Sequence, residues 1–569
     1  MQEIISEAGA FSAVFIQITR YLLPALALWV LLRCARSLLF YRKEPEIWAW
    51  LTTPENTRLP VTHWENLLGR SAGCDVVLQY ATVSRIHAVL TRSDKGSWTI
   101  TDAGSKSGIA VNGASVSSSP VGLGDEITLG GLRFSLVPIT KEQEAIQAEA
   151  RSRITVSPAL TLLLLTAFQL LVCVRLLIGC PEQAASVLLS FGCLIGAQWL
   201  LLLGMKVLHR CAFELETLAF FLTTMGLCVV TVSAPEALRK ELLAIGLGIL
   251  VFLFVGWSLR DLRCAKAVRY LAAVAGIGLL AVNLLIGTEK FGAKNWIELG
   301  AFSFQPSELV KLCFVYVGAS SLSHLVARRN LTLFIVYSAS VCACLALMND
   351  FGAAIIFFVT FLVIAFLRSG NFATLALACA GTGFAGLLAL RFKPYAMNRF
   401  SAWGHVWENA TTTGYSQTRA LMCLASGGLF GLGAGKGWLH YVGAADTDLV
   451  FALVSEEWGL LLALCMVLAV VILAMFAVRA SSHSRSCFYT IGSCAAASIL
   501  IIQCILNVFG TTDLLPLTGV TFPFVSNGGS SMLCVWGLLA FIKAADTRQN
   551  ASFTVRLPNK RIVQEEETE

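Results

Sequence analysis

Charged side chains set inside apolar stretches are where this chain could do chemistry. Glu308 and Lys311 stand three apart in Gln305-Pro-Ser-Glu-Leu-Val-Lys, at the start of an apolar run. On a helix they share a face. A charged pair at membrane depth is expensive; it either faces a cavity or locks helices together, and both readings stay open here. Asp446-Thr447-Asp448 closes a long polar loop and leads into a second apolar run carrying Glu456-Glu457. Carboxylates held in apolar walls are candidate proton acceptors. The third feature, Thr518-Gly-Val-Thr-Phe-Pro-Phe-Val-Ser-Asn-Gly-Gly-Ser530, has the small, polar character of broken backbone lining a cavity. Together these features describe a polar cavity within a membrane, which suits a transporter as well as an enzyme.

The elements that must position these residues are apolar helices. Of the 569 residues, 56% are hydrophobic and 14% charged, with mean hydropathy +0.72. A soluble protein carries about 25% charge, so the expected solvent is a bilayer. The net charge of +7 is spread over loops and points to no nucleic-acid partner. Most of the 18 Cys lie in apolar stretches without metal-ligand spacing, as at Cys342, Cys344 and Cys379, and read as packing residues. Stretches of spanning length begin near Phe11, Val156, Ala184, Phe213, Leu242, Val268, Ser307, Leu331, Gly352, Phe372, Leu449, Tyr489 and Ser526, giving about thirteen helices. The first has Arg on its C-terminal side and reads as a retained anchor. The Gly-rich run from Leu421 to Leu432 is too short to span and is expected to be re-entrant or interfacial.

Basic residues mark the inner loops: Arg33, Arg36, Arg42 and Lys43; Arg260, Arg263, Lys266 and Arg269; Arg328 and Arg329; Arg368; Arg479 and Arg485; and the tail from Lys543 to Arg561. One alternation satisfies them, with the N-terminus outside and the C-terminus inside. The long segments around Gly287–Pro306 and Arg391–Asp448, and the stretch Gly510–Val525, then lie outside.

Residues from Trp48 to Pro138 break the apolar pattern. They alternate with period two between turn signals, as in Trp98-Thr-Ile-Thr and Leu132-Arg-Phe-Ser-Leu, which predicts a β-sandwich. Flanking basic residues, including Lys141, Arg151 and Arg153, place it in the cytoplasm. Gly69-Arg70, Ser84-Arg85-Ile-His87-Ala, Gly104-Ser105-Lys106-Ser107-Gly and Val111-Asn112-Gly resemble the signature of a forkhead-associated (FHA) domain. The resemblance implies a two-sheet sandwich binding phosphothreonine peptides. Arg70 and Ser84 would hold the phosphate, Ser105 and Lys106 would add donors, Arg85 would flank the site and Asn112 would hold peptide backbone. Gly69 and His87 would support the loops. Ser107 stands where the family usually has Asn.

The remaining motifs carry a second resemblance. Asn295-Trp296-Ile, Phe302-Ser-Phe-Gln305-Pro-Ser-Glu308 with Lys311, Gly427-Gly-Leu-Phe-Gly431-Leu-Gly433, Thr447-Asp448 with Glu456-Glu-Trp-Gly459, and Pro516-Leu-Thr-Gly519 through Ser531 are similar to the SEDS family (shape, elongation, division and sporulation), typified by FtsW, RodA and SpoVE. The resemblance implies a polytopic α-helical membrane protein with a core of about ten helices and an inserted all-β FHA sandwich. The expected division is a transmembrane anchor over 1–45, the FHA domain over 46–140, two additional helices within 141–210, the glycosyltransferase core over 211–547 and a cytoplasmic tail over 548–569.

Members of the family are peptidoglycan glycosyltransferases that polymerise lipid II at the outer face of the cytoplasmic membrane with a class B penicillin-binding protein. By position Asp448 would be the catalytic base of an inverting transfer. Glu308, Lys311, Asp446, Glu456 and Ser530 would meet substrate. The diphosphate leaving group calls for cations, with Arg399, Arg419 and Lys436 of the long loop as candidates, or a divalent metal, Mg or Mn. Three departures stand out: Asp446 where His is frequent, Asn527 where Tyr is frequent, and Asn295 where Arg is common. A lipid-linked precursor flippase and a non-catalytic scaffold coupling a Ser/Thr kinase pathway to wall assembly are the competing expectations.

Overall fold

The computed structural model describes residues 2–40, 47–93, 96–140, 156–208, 212–260, 262–290, 292–300, 302–322, 328–369, 372–392, 400–481 and 486–546, together with 142–143, 145–146, 210, 397 and 484. The basic residues Arg42, Lys43, Lys141, Arg151, Arg153 and Arg485, and the tail beyond Asp546, lie outside that set. Each apolar stretch read from the sequence is helical. The helices used below are α1 (Gln2–Leu39), α2 (Pro158–Gly179), α3 (Ala184–Val207), α4 (Glu214–Ser233), α5 (Leu238–Ser258), α6 (Leu262–Ile286), α7 (Pro306–Leu322), α8 (Arg328–Leu347), α9 (Phe351–Ser369) and α10 (Phe372–Phe392). Eight helices among the described residues are long and apolar enough to cross a membrane, and α4 is the most enclosed of them, 94% buried over its apolar window. An apolar helix hidden on all sides belongs in the middle of a bundle.

One helix of the second half differs from the sequence expectation. The run beginning at Leu449 is not one helix: it divides into α13 (Val450–Trp458) and α14 (Leu460–Ser481) at Gly459, whose φ is +96°. A β-carbon there would lie 2.5 Å from the Leu429 carbonyl oxygen. Only glycine accepts both that backbone angle and that approach. The Gly-rich run before it forms α11 (Tyr415–Gly427), which packs against α13. A short helix, α12 (Ala445–Asp448), precedes α13. The bundle closes with α15 (Cys487–Thr511) and α16 (Gly529–Ala544), the latter packed on α5.

The β-domain is a sandwich of two sheets. One has six strands in the order β2 (Arg58–Val61), β1 (Ala49–Thr52), β11 (Leu132–Val137), β10 (Glu126–Leu129), β7 (Ile109–Val111), β8 (Ala114–Val116). The other has five, in the order β4 (Val76–Val77), β3 (Glu65–Gly69), β5 (Ala88–Arg92), β6 (Trp98–Asp102), β9 (Ser118–Val121). Leu51, Leu68, Leu90, Ile100, Ile127, Phe134 and Leu136 alternate inward from both sheets to form its core. The domain meets the membrane bundle where Ser486 Oγ donates to Glu65 Oε2 at 3.2 Å, both residues buried. Ser486 also caps α15 by accepting from the Phe488 N–H.

Candidate active site and phosphopeptide site

A cavity of about 1440 Å³ opens among α8, α9, α10, α12 and the loop from Pro516 to Ser531. Asp446, Thr447 and Asp448 line it, as do Ser530, Asn527 and Thr518. The segment 446–448 is pinned residue by residue. Asn527 donates its N–H to the Asp446 carbonyl at 2.9 Å and its Nδ2 to Asp446 Oδ2 at 2.7 Å. Ser526 Oγ donates to the Thr447 carbonyl at 2.6 Å, and Asn507 Nδ2 on α15 donates to the Asp448 carbonyl at 3.0 Å. The loop is braced in turn, with Phe522 N–H donating to Ser526 Oγ and Gln305 N–H to Ser530 Oγ. Broken backbone at membrane depth needs such partners. The half-buried Asp448 thus projects from a fixed backbone at the cavity wall.

The structure adds cavity residues that sequence reasoning missed. The segment read as a plain loop forms a three-stranded sheet of β12 (Thr288–Lys290), β13 (Ala293–Leu299) and β14 (Phe302–Phe304). It brings Asn295 and Trp296 to the cavity beside Gln305. Asp350, at the start of α9, lies opposite them. It accepts from Asn295 Nδ2 at 3.2 Å, Gln305 Nε2 at 3.4 Å and the Ala353 N–H at 3.1 Å. The alternation in Lys294-Asn-Trp-Ile-Glu-Leu was the available signal for the strand.

Other expected substrate contacts lie elsewhere. Glu308 and Lys311 form an ion pair of 2.7 Å, only 5% and 1% exposed, and do not line the cavity. Both stand on α7, one turn apart, so each neutralises the other's buried charge within a single helix. Glu308→Gln would leave a buried ammonium without its counter-ion, a loss of about 3–5 kcal/mol. The expected result is a markedly lower melting midpoint in detergent; an unchanged midpoint would contradict a structural role for the pair. The reading of Glu456 as a substrate contact is corrected. Its two carboxylate oxygens accept from the Trp438 N–H at 2.8 Å and the Leu439 N–H at 3.0 Å, and the side chain is buried. It therefore shapes the loop. Arg419 lies exposed over the Tyr415 ring, and Lys436 is exposed beyond Gly433; neither lines the cavity. Arg399 lies outside the described residues. No three His, Cys, Asp or Glu side chains converge as a metal cage among the described residues, and one Asp446 oxygen is taken by Asn527.

On the β-domain the expected phosphate ligands converge. The Arg70 N–H donates to the Ser84 carbonyl at 3.0 Å, and its exposed guanidinium reaches the Ala81 carbonyl at 3.4 Å. Lys106 N–H donates to Ser84 Oγ at 3.1 Å. Ser105 Oγ is buried with no partner among the described residues, and Arg85 is exposed beside Ser84. Beneath them His87 Nδ1 accepts from the Ser84 N–H at 3.0 Å, so Nε2 carries the proton and donates to the Gly108 carbonyl at 3.1 Å. A β-carbon on Gly69 would lie 2.4 Å from the Arg85 carbonyl oxygen. Both residues hold the loops in place. Asn112 differs from expectation: its amide donates to Asp125 Oδ1 at 3.1 Å and its carbonyl accepts from the Glu126 N–H at 2.9 Å. The Asn112 donor, with the Gly122 N–H, holds the Asp125 carboxyl below its ordinary range. Asn112 therefore braces its own turn.

A helical membrane bundle with a polar cavity, carrying a two-sheet β-sandwich, is the class that this fold and these sites define. The chain belongs to the FtsW/RodA/SpoVE family of cell cycle proteins, whose model matches residues 206–551. The FHA domain model matches residues 66–130. The peptidoglycan glycosyltransferase RodA of Mycobacterium tuberculosis H37Rv is 32% identical over 333 residues, covering 54% of this chain and 70% of that protein. Stage V sporulation protein E of Bacillus subtilis is 28% identical over 317 residues, covering 52% and 82%. A solved structure described as a peptidoglycan synthase complex that coordinates polymerization and crosslinking aligns with TM-score 0.50 and 24% identity, over 58% of this chain and 96% of that one, and shows the shared fold.

Proposed function

We propose that the chain is a peptidoglycan glycosyltransferase that polymerises lipid II at the outer face of the cytoplasmic membrane, with the FHA domain reading a phosphothreonine partner inside. The observation that carries it is Asp448, held by a pinned backbone at the wall of a cavity large enough for a saccharide unit. The acceptor 4-hydroxyl attacks the donor anomeric carbon; Asp448 takes its proton as the new C–O bond forms, and the lipid diphosphate leaves with the bonding electrons. Family membership and the named relatives support the reaction class. The basic loops support an N-terminus outside, with the FHA domain and C-terminus inside.

A class B penicillin-binding protein would cross-link the strands, and a Ser/Thr kinase pathway would supply the phosphothreonine. Support for a regulatory FHA domain comes from the Glu65–Ser486 contact. Strand β3 runs from that contact to Gly69, next to Arg70, and Ser486 caps the helix whose Asn507 holds Asp448. The test is polymerisation of purified lipid II by the full chain in detergent, with the partner transpeptidase present. Glycan polymer is expected. A flippase would move lipid II across vesicles without making polymer, and a scaffold would do neither.

The departures Asp446 and Asn527 meet in one hydrogen bond, so they should act as a unit. Asp446→Asn and Asn527→Asp are each expected to slow polymerisation about tenfold, as the loss of one charge-assisted contact predicts. The double exchange, which restores one donor facing one acceptor, should recover most of the rate. A double variant no better than the worse single one would show that the Asp446 carboxylate acts directly on substrate.

A further inference from the structure

The helices preceding the family match carry a charge cluster that the proposed chemistry does not use. Arg20 lies on α1 and Arg175 on α2. In the sequence the β-domain follows the C-terminal end of α1 and precedes the N-terminal end of α2. At 1.5 Å per residue Arg20 is about 28 Å from Leu39, and Arg175 about 26 Å from Pro158. Both therefore sit toward the membrane face opposite the β-domain. Arg175 is 4% exposed, its guanidinium 5.1 Å from the centre of the buried Trp458 ring. Arg20 adjoins Tyr21, whose ring packs on Phe430 of the same loop, and the Arg20 Nε is buried without a partner among the described residues.

Lys436 completes the group. A β-carbon at Gly433 would lie 3.5 Å from Lys436 Cδ and 3.8 Å from Arg175 Nη2, so the two cations flank one point. The loop is seated there firmly: a β-carbon on Gly179 would lie 2.4 Å from the Ala434 carbonyl oxygen, and one on Gly435 would lie 2.8 Å from Cys180 Sγ. Glu456 accepts from the Trp438 and Leu439 amides, and the buried Glu457 forms no ion pair among the described residues. Among the described residues no carboxylate forms an ion pair with Arg20, Arg175 or Lys436.

Clustered cations at membrane depth without a counter-ion are costly. An anion from outside the chain relieves that cost, and phosphate oxygens fit the guanidinium fork. The surroundings specify the anion further. Tyr21 stacks edge-on against Phe430 at 4.7 Å, and Tyr21, Leu429 and Leu432 are exposed where acyl chains would lie. Trp438 and Tyr441, 74% and 77% exposed, pair at 6.1 Å in the manner of side chains at a headgroup boundary. We propose that Arg20, Arg175 and Lys436 bind the phosphate headgroup of an anionic lipid between the added helices and the 433–437 loop. The site is separate from the Asp448 cavity, whose lining includes none of the three.

The test reconstitutes the full chain in vesicles of mixed phosphatidylglycerol and phosphatidylcholine and measures retained lipid by native mass spectrometry. Wild type should retain phosphatidylglycerol selectively. Arg175→Gln and the exposed Lys436→Gln should each lower that retention about tenfold, the loss of one charge-assisted contact. Arg175→Lys, which keeps the charge should the glutamine variant not fold, should retain an intermediate amount. Equal retention by wild type and Lys436→Gln, or no preference for phosphatidylglycerol, would overturn the proposal. Stabilisation of the lipid-free protein by inorganic phosphate as strongly as by phosphatidylglycerol would overturn the lipid assignment. None of these readouts depends on polymerisation, so failure here is distinguishable from failure of the enzymatic reading.

Discussion

Asp448→Asn is expected to reduce glycan polymerisation by about 10² to 10⁴-fold, the range removed with a positioned general base. The substitution is nearly isosteric, so it separates chemistry from folding. The backbone contacts that fix 446–448 come from Ser526, Asn527 and Asn507 and none uses the Asp448 side chain. The variant should therefore keep its melting midpoint and its partner binding while losing product. An amide cannot take the proton from the attacking hydroxyl, so excess substrate should not rescue the rate: kcat falls and KM stays near its wild-type value. The measurement is polymer formed from purified lipid II, resolved by length, alongside a thermal unfolding curve. Polymer synthesis at the wild-type rate would remove Asp448 from the base role and direct attention to Asp350 across the same cavity.

Asp448 could be found in the sequence because it stands in a motif block whose order along the chain is distinctive. Asp350 could not: Met348-Asn-Asp-Phe351 is an unremarkable span end, and its place becomes visible only when Asn295 and Gln305 are folded onto it. Glu456 shows the opposite error. A carboxylate beside an active-site motif invites a substrate role, but which amides face it depends on how the 433–439 loop returns, and that is a tertiary fact. The same return separates Lys436 from Asp448, although one loop contains both. Helices were legible throughout because apolar length is a local property. The break at Gly459 was not, since it depends on the backbone of Leu429 and Phe430 approaching from another element. In the sandwich, the resemblance to the FHA signature groups Arg70, Ser84 and Lys106, and the fold brings them to one edge. The bracing role of Asn112 was not legible, because its partners Asp125 and Glu126 arrive from a later turn.

Arg70→Ala is the second large expected effect: affinity for a phosphothreonine peptide should fall by about tenfold to a hundredfold or more, the loss of one or two charge-assisted hydrogen bonds to phosphate. The side chain is exposed and contributes one long contact, to the Ala81 carbonyl at 3.4 Å, so the sandwich should remain folded. Ser84 is a less clean target, because its Oγ also accepts from the Lys106 N–H and its loss would disturb the loop itself. The ligand's charge gives an independent check. A phosphothreonine carries its second negative charge only above about pH 6. Binding by wild type should therefore weaken as pH falls from 7 toward 5, because the dianion that the guanidinium prefers is protonated. Arg70→Ala should show a shallower pH dependence along with its lower affinity, and an unphosphorylated peptide should bind neither protein. Titration calorimetry with the full chain in detergent reads all three. Equal affinity of the variant and wild type for the phosphopeptide would show that the matched blocks form an FHA fold serving as a docking surface. A lowered affinity with the steep wild-type pH dependence retained would move the phosphate contact from Arg70 to Arg85 or Lys106, which are exposed at the same edge of the sandwich.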